Sequence, residues 1–317
     1  MSTSSQERID VFELLCPDFD NTLKSRLDQS GITVNPVDCS EDQADTLIKT
    51  VHTLAEDCTD TALTFSNSID IIKKSNFYNQ FYAKWGKSIA LSLVLEQLLT
   101  DLMLCIKPAT TADVKEFVMQ KLFSKAIRTY MEINTLIRFG FPNGAIALVR
   151  VLYELWICFS FIATNNSSVA TAYLKKAAEP LTKRSAHDNY DWAKAATCFC
   201  DRTDDIKLHE LHKKVSTDDL LKIESRNYAA YNKFIHAAPQ TINDTPESDL
   251  ENITIGPLHE MIQIPAIHST FYICQMLHVG KNWFNTGDLF QRYAFCIEWI
   301  EILLESYSKT ADGSLSC

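Results

Sequence analysis

The sequence predicts an all-α fold, a multi-helix bundle with a central antiparallel helical hairpin and an acidic N-terminal arm. Two observations carry this prediction. The 317 residues include only 8 Gly and 9 Pro, which is too few for the turns of a many-stranded sheet. Apolar residues recur at helical spacing along most of the chain, which favours about seven to nine helices.

The hairpin is predicted around the segment FGFPNG, residues 139–144. Before it, a helix opening near Thr111 shows apolar side chains at helical spacing. After it, residues 145–163 form a long apolar run. Two glycines flank a proline in the segment between them, so we expect a tight reversal and antiparallel packing of the two helices.

The remaining helices are predicted from the same periodicity and from capping and stop signals. A capping box of Ser40 and Gln43 opens the helix predicted over residues 43–57. A charged linker is predicted through residue 215, and a long loop follows Pro239. The other predicted helical segments are 43–57, 61–107, 172–180, 218–238, 258–284 and 287–308.

Charge is distributed unevenly along the chain. Residues 1–60 hold 13 acidic and 4 basic side chains, which leaves 27 acidic and 26 basic in the remainder. We therefore predict an acidic arm over residues 1–42, a helical bundle domain over 43–308 and a disordered tail over 309–317. The nearly neutral body is compatible with an anionic ligand, but the acidic pI gives no support to strong non-specific nucleic-acid binding.

The ten cysteines are scattered singly in apolar stretches, which is typical of small core residues. The close pair Cys198 and Cys200 lacks a second Cys/His pair at zinc spacing, so no metal and no cofactor are predicted. The N-terminus has neither a basic nor an apolar signal region. These features together predict a cytoplasmic protein with reduced thiols.

The run at 145–163 is long enough to cross a membrane. Arg150 and Glu154 lie near its middle, and each would cost about 2.5 to 3.5 kcal/mol at a bilayer centre. We therefore predict that this helix is buried in protein and that the chain has no membrane partner.

Arg150 and Glu154 are also the only charged side chains between Phe141 and Lys175. Their spacing of four places them on one face of a helix whose other faces are apolar. Partial burial of an ion pair costs desolvation energy, so its presence indicates a role. Two hypotheses follow: the pair fixes the register of a neighbouring helix, or Arg150 faces a ligand pocket and Glu154 orients it.

A second polar group is predicted where the helix ending in YNKFIHAAP places His236 in its last turn and Asn232 one turn earlier. A helix C-terminus favours imidazolium and raises the histidine pKa. Such a histidine is suited to proton transfer or anion binding. Alternatively, His236 only caps the carbonyls at the end of its helix.

The stretch AIALVRVLYELW, followed by YNKFIHAA, resembles an uncharacterised bacterial domain family of unknown function over roughly residues 115–300. Arg150 and Glu154 match its R-S-L-x-E-type helix, with Val151 in place of the serine. Tyr231 and His236 match its later Y/S-x-x-x-H-type motif. The resemblance implies an all-helical intracellular protein associated with bacterial defence, including phage defence, or with stress.

That family distantly resembles the HEPN superfamily, helical bundles in which an arginine and a histidine form a metal-independent ribonuclease site. Arg226 precedes His236 by ten positions, about 15 Å along a helix, which is too far for one site. The resemblance therefore implies that Arg150 supplies the arginine.

The implied chemistry assigns His236 as general acid or base and Arg150 as the group that stabilises the phosphorane charge, held by Glu154. The partner would be RNA or another phosphate-bearing ligand. The predicted substrate-binding residues are Tyr231, Asn232, Lys121 and Lys125. The alternative for Lys121 and Lys125 is that they belong to a solvated helix face.

The alternative function is a non-enzymatic binding or assembly module in which the Arg/Glu/His network is structural, with a protein partner or a homodimer. Two nearby patterns receive plainer interpretations. His209-Glu210-x-His212 lacks zincin spacing and is interpreted as a solvated charged turn. Tyr228, Tyr231 and Phe234 lie at helical spacing and are interpreted as core residues in preference to a base-stacking platform.

Overall fold

A computed structural model describes residues 19–29, 41–59, 76–110, 112–179, 190–217, 227–228, 231, 261–284 and 287–311. Within these ranges the chain forms helices and no strand, which confirms the all-α prediction. The α-helices are α1 (Phe19–Gln29), α2 (Glu41–Asp57), α3 (Asn76–Cys105), α4 (Val114–Arg138), α5 (Pro142–Thr164), α6 (Ser167–Ala177), α7 (Leu208–Val215), α8 (Gln263–Val279) and α9 (Gly287–Ala311).

Contacts divide the chain into two compact units. The first unit combines residues 1–106 with 281–317, and the second spans 107–280. The arm, bundle and tail boundaries proposed from the sequence stay predictions. Helix α9 continues to Ala311, inside the predicted tail, because Thr310 is buried and donates a hydrogen bond to the Ser306 carbonyl at 2.8 Å.

In the first unit, α9 packs against both α2 and α3. The Trp299 indole nitrogen donates to the Leu91 carbonyl at 3.0 Å, and the Ser88 and Ser306 hydroxyls lie 2.8 Å apart. Helix α1 packs on α2, with Arg26 and Asp57 paired at 2.7 Å. Two segments far apart in sequence therefore share one core.

The second unit is organised around the hairpin of α4 and α5, which confirms the predicted reversal. Gly140 has φ 74°, a left-handed conformation that glycine adopts without steric cost. The Phe141 amide donates to the Leu136 carbonyl at 2.9 Å, and Pro142 begins α5. At the other end of α5, Lys115 Nζ donates to the carbonyls of Ala163 and Asn165, both at 2.7 Å.

Helices α7 and α8 also pack on α5, and α8 packs on α4 as well. The prediction of a charged linker through residue 215 was wrong, because residues 208–215 form α7. Leu208 and Leu211 are buried, and the Glu210 carboxylate accepts from the Lys207 amide at 2.9 Å. Residues 208–215 are therefore helical in spite of their charged composition, because one face is buried and the backbone amide at the start of the helix is hydrogen-bonded.

Two helical segments, Gln80–Cys105 and Pro142–Thr164, are long and apolar enough to cross a membrane by length and composition alone. In the structure, 61% and 72% of their most apolar windows are buried in protein. Core helices of soluble proteins pass the same test, so this is weak evidence for a membrane span. The cytoplasmic location stays a prediction.

Candidate functional site

The predicted ion pair forms on α5. Arg150 Nε lies 3.3 Å from Glu154 Oε1, and the two side chains are 29% and 31% exposed. This confirms their partial burial. The neighbouring side chains Leu152, Tyr153 and Trp156 are buried, so the pair lies at one edge of the helix where solvent still reaches it.

Tyr228 bridges the pair. Arg150 Nε donates to the Tyr228 hydroxyl oxygen at 3.1 Å, and that hydroxyl donates to Glu154 Oε1, also at 3.1 Å. The guanidinium carbon lies 5.3 Å from the centre of the Tyr228 ring, within the range of a cation–π contact. One aromatic side chain thus fixes both charged groups by its hydroxyl and its ring.

The protonation states support this arrangement. Burial first, and then the Glu154 charge, raise the pKa of Tyr228, so its hydroxyl remains a donor. Burial lowers the pKa of Arg150, but the hydrogen bond to Tyr228 and the Glu154 charge outweigh it, and the net shift is upward. Arg150 is therefore a permanent cation.

The outer nitrogens of Arg150 have no partner in the part of the chain that the structure describes. Its Nε is used by Tyr228 and Glu154, but Nη1 and Nη2 donate no hydrogen bond to any residue that the structure describes. A guanidinium presents its donors as a planar fork that matches phosphate and carboxylate groups. Arg150 can therefore bind an anion while its inner nitrogen stays fixed.

Behind Tyr228 lies a second, buried polar pair. The Tyr153 ring packs 5.0 Å from the Tyr228 ring, and the Tyr153 hydroxyl lies 2.6 Å from His212 Nδ1. His212 has no exposed surface, so its interpretation as part of a solvated charged turn was wrong. Its Nε2 has no hydrogen-bond partner among the described residues. Burial lowers the pKa of His212 to about 4, so the imidazole is neutral at pH 7.

Aromatic rings surround this pair and join α5 to α7 and α8. Trp156 stacks on Tyr272 with ring centres 5.4 Å apart, and it meets His212 edge to face at 5.5 Å. Tyr272 also lies 5.6 Å from Tyr153. Tyr153, Trp156 and Tyr272 thus form an aromatic wall that contacts Tyr228 through Tyr153.

Cys158 lies two turns beyond Arg150 on α5 and is buried. Burial raises its pKa to about 12; the Glu154 charge adds to the rise and Lys125 opposes it. A thiol with this pKa is protonated at pH 7 and is a poor nucleophile. The site therefore provides charge and hydrogen bonds, and no thiolate.

The other predicted site residues are placed as follows. Lys121 and Lys125 are both exposed on α4, and Lys121 Nζ lies 5.4 Å from the Phe117 ring centre. Tyr231 is buried, as interpreted, and its hydroxyl is hydrogen-bonded to His268. His236 and Asn232 fall outside the described residues. The catalytic and substrate-binding roles of all these residues stay predictions.

Residues 116–179 match the model of a family described as a family of unknown function (DUF5677). This supports the prediction of an uncharacterised domain. The matched segment contains Arg150 and Glu154, whereas Tyr228 and His212 lie beyond it. No curated protein and no solved structure matches the chain.

Proposed function

We propose that the second unit binds the phosphate backbone of RNA through Arg150 and cleaves it without a metal ion, as a HEPN-like ribonuclease of the bacterial cytoplasm acting in defence or stress. The observation that carries the proposal is the hydrogen bonding of the Arg150 guanidinium. Its Nε is fixed by Tyr228 and Glu154, and its outer fork is left without a described partner on a side chain that is 29% exposed.

This arrangement favours a ligand over a purely structural cross-link. A guanidinium that only fixed helix register would pair its outer donors with the neighbouring helix, whereas outer donors that solvent reaches are open to a ligand. Among the described residues, Arg150 pairs its inner nitrogen alone. A phosphate oxygen pair would fill the outer fork with two charge-assisted hydrogen bonds.

The proposed reaction is an internal transfer. The RNA 2'-hydroxyl oxygen attacks the adjacent phosphorus while His236 accepts its proton, and the bond from phosphorus to the 5'-oxygen breaks. A solvent water molecule protonates that oxygen and afterwards takes the proton from His236, which releases a 5'-hydroxyl and leaves a 2',3'-cyclic phosphate. Arg150 stabilises the charge that develops on the non-bridging oxygens, and Glu154 and Tyr228 hold it in position. Lys121 and Lys125 attract the flanking phosphates.

The test is cleavage of end-labelled single-stranded RNA in the presence of a chelator. We expect Arg150→Ala and His236→Ala each to lose at least about a hundredfold in cleavage rate. Arg150→Lys should lose nearly as much, because the single ammonium of lysine cannot contact Tyr228 and also present two parallel donors to a phosphate. Arg26→Ala removes an equal charge from the first unit and is the control. Full cleavage by folded Arg150→Ala and His236→Ala proteins would overturn the proposal.

A second candidate is a non-enzymatic binding or assembly module in which the network is structural. The Tyr228 bridge favours it, because Tyr228 ties a segment outside α5 to the Arg150 and Glu154 pair. Under this proposal neither the wild-type protein nor Arg150→Ala cleaves RNA, and Arg150→Ala lowers the stability of the fold. The surface around the network then binds a protein partner or a second copy of the chain. Light scattering of wild type and Arg150→Ala measures the homodimer directly.

A further inference from the structure

A histidine and two glutamates from distant parts of the sequence meet in the first unit. His52 lies on α2, and Glu298 and Glu301 lie on α9. One ligand atom from each lies within 4.8 Å of the other two. His52 Nδ1 is 2.7 Å from Glu298 Oε2, so the cluster is centred on the contact between the two helices.

Burial within the cluster is graded. Glu298 is buried with 5% of its surface exposed, His52 is partly exposed, and Glu301 is exposed. An ion can therefore reach the cluster from the Glu301 side, while Glu298 provides a fixed ligand from within the core. Catalytic metal sites likewise hold the ion with fixed protein ligands and keep one coordination position open to solvent.

The cluster carries an excess of negative charge. Glu56 adds a third carboxylate, with its Oε1 3.5 Å from His52 Nε2. Three carboxylates at −1 and one imidazolium at +1 leave a net charge of −2, even with His52 protonated.

We propose that His52, Glu298 and Glu301 bind one divalent transition-metal cation, with Zn²⁺ as the reference ion. One imidazole nitrogen and two carboxylate oxygens form a ligand set that suits Zn²⁺. Ligand atoms about 2.1 Å from a tetrahedral zinc ion lie about 3.4 Å apart. The spacings in the cluster are all within 4.8 Å, so none has to close by more than roughly 1.4 Å. The 2.7 Å contact of His52 with Glu298 has to open by about 0.7 Å. Rotation of the exposed Glu301 side chain would close the first gap, and rotation of the His52 side chain would open the second.

The plainer account is an ion pair between His52 and Glu298 that only joins α2 to α9. The two accounts differ at Glu301. It forms no hydrogen bond or ion pair with the described residues, so an ion pair at His52 needs nothing from it, whereas a metal needs its oxygen. Glu305, one turn further along α9, is exposed like Glu301 but is paired with Lys309, and it is the matched control.

The experiment titrates Zn²⁺ into the full chain after treatment with a chelator, in competition with a chromophoric zinc indicator. We expect one equivalent to bind at least tenfold more weakly in Glu301→Gln and in His52→Ala than in wild type, and Glu305→Gln to bind like wild type. Circular dichroism establishes that each variant is folded. Glu301→Gln lies at an exposed position and is the decisive variant.

Exposed cysteines such as Cys105, Cys198 and Cys200 can also bind zinc, so the measured quantity is the equivalent that Glu301→Gln loses. A parallel titration with Co²⁺ should give d–d absorption that is lost in Glu301→Gln, without loss of any thiolate-to-cobalt charge-transfer band. Equal zinc affinity in wild type, Glu301→Gln and His52→Ala would overturn the proposal. So would the absence of any equivalent that these two variants lose.

Discussion

Tyr153 and His212 share a buried hydrogen bond, with 2.6 Å between the tyrosine hydroxyl oxygen and the imidazole Nδ1. Both side chains are almost fully excluded from solvent, and the bond joins α5 to α7. Because the Tyr153 ring also packs on Tyr228, the buried pair supports the side chain that holds Arg150. A chain of direct side-chain contacts therefore joins the buried His212 to Arg150 through Tyr153 and Tyr228.

Removal of the Tyr153 hydroxyl should destabilise the protein. Tyr153→Phe leaves the buried His212 Nδ1 without its partner, and a buried polar atom of this kind costs about 1 to 3 kcal/mol in free energy of unfolding. Urea denaturation measures the loss. In a double-mutant cycle, Tyr153→Phe with His212→Phe should cost less than the sum of the single changes. Additive costs would show that the two groups are not coupled.

Stability should fall in mild acid because of His212. Its folded pKa is about 4, against 6.5 for the free side chain, so between these pH values the unfolded state binds more protons. The stability of the neutral form is complete above about pH 6.5 and is lost as the pH falls toward 4. We expect His212→Phe to lose about 2 kcal/mol less than wild type between about pH 7 and pH 4.5.

Two other histidines titrate in both proteins and cancel in this comparison. His268 also has a pKa lowered to about 4, and His52 has a raised pKa that acts in the opposite direction. Urea midpoints at the two pH values give the difference. The same acid sensitivity in wild type and His212→Phe would contradict a neutral, buried His212.

The hairpin turn provides a pair of glycine substitutions with opposite expected signs. Gly140→Ala places a Cβ at φ 74° and should destabilise by about 1 to 2 kcal/mol. Gly144→Ala lies at an exposed position of α5, where the new Cβ meets Leu136 Cδ1 at an ordinary 3.4 Å, and should stabilise by up to about 1 kcal/mol. Thermal denaturation of both variants checks the signs, and a stabilised Gly140→Ala would refute the strain argument.

Lys115 should contribute to stability through the end of α5. Its ammonium donates to two carbonyls at 2.7 Å, where a helix C-terminus favours positive charge. Lys115→Met should cost about 1 to 2 kcal/mol in urea denaturation. The exposed Lys175 is the control, and Lys175→Met should change stability by less than about 0.5 kcal/mol. Equal effects of the two changes would show that the carbonyl contacts contribute nothing.

The sequence predicted the parts of the fold that depend on local pattern. The reversal at Gly140 and Pro142 and the partial burial of Arg150 and Glu154 follow from turn residues and helical spacing. The charged composition of α7 led to the wrong prediction of a linker. Three basic residues and a glutamate surround a buried face that consists of only two leucines and a histidine. Periodicity over eight residues is too short to outweigh such a charge pattern.

The candidate site was predicted only in part, because its remaining members come from distant segments. Tyr228 was interpreted as a core residue because its spacing from Tyr231 is helical. That spacing does not distinguish a tyrosine such as Tyr228, whose hydroxyl bridges two charged groups, from a buried tyrosine such as Tyr231. The contact of Tyr153 with His212 spans 59 positions, and that of His52 with Glu298 spans 246. Pairings at such separations are products of tertiary packing.

The aromatic wall formed by Tyr153, Trp156 and Tyr272 has a consequence for any attempt to isolate the family-matched segment. Residues 116–179 end before α7 and α8, which supply the partners of that wall. A polypeptide trimmed to those residues would present two large rings to water and should self-associate or melt. The useful boundary for expression is the compact unit 107–280, and the matched segment is a fragment of it.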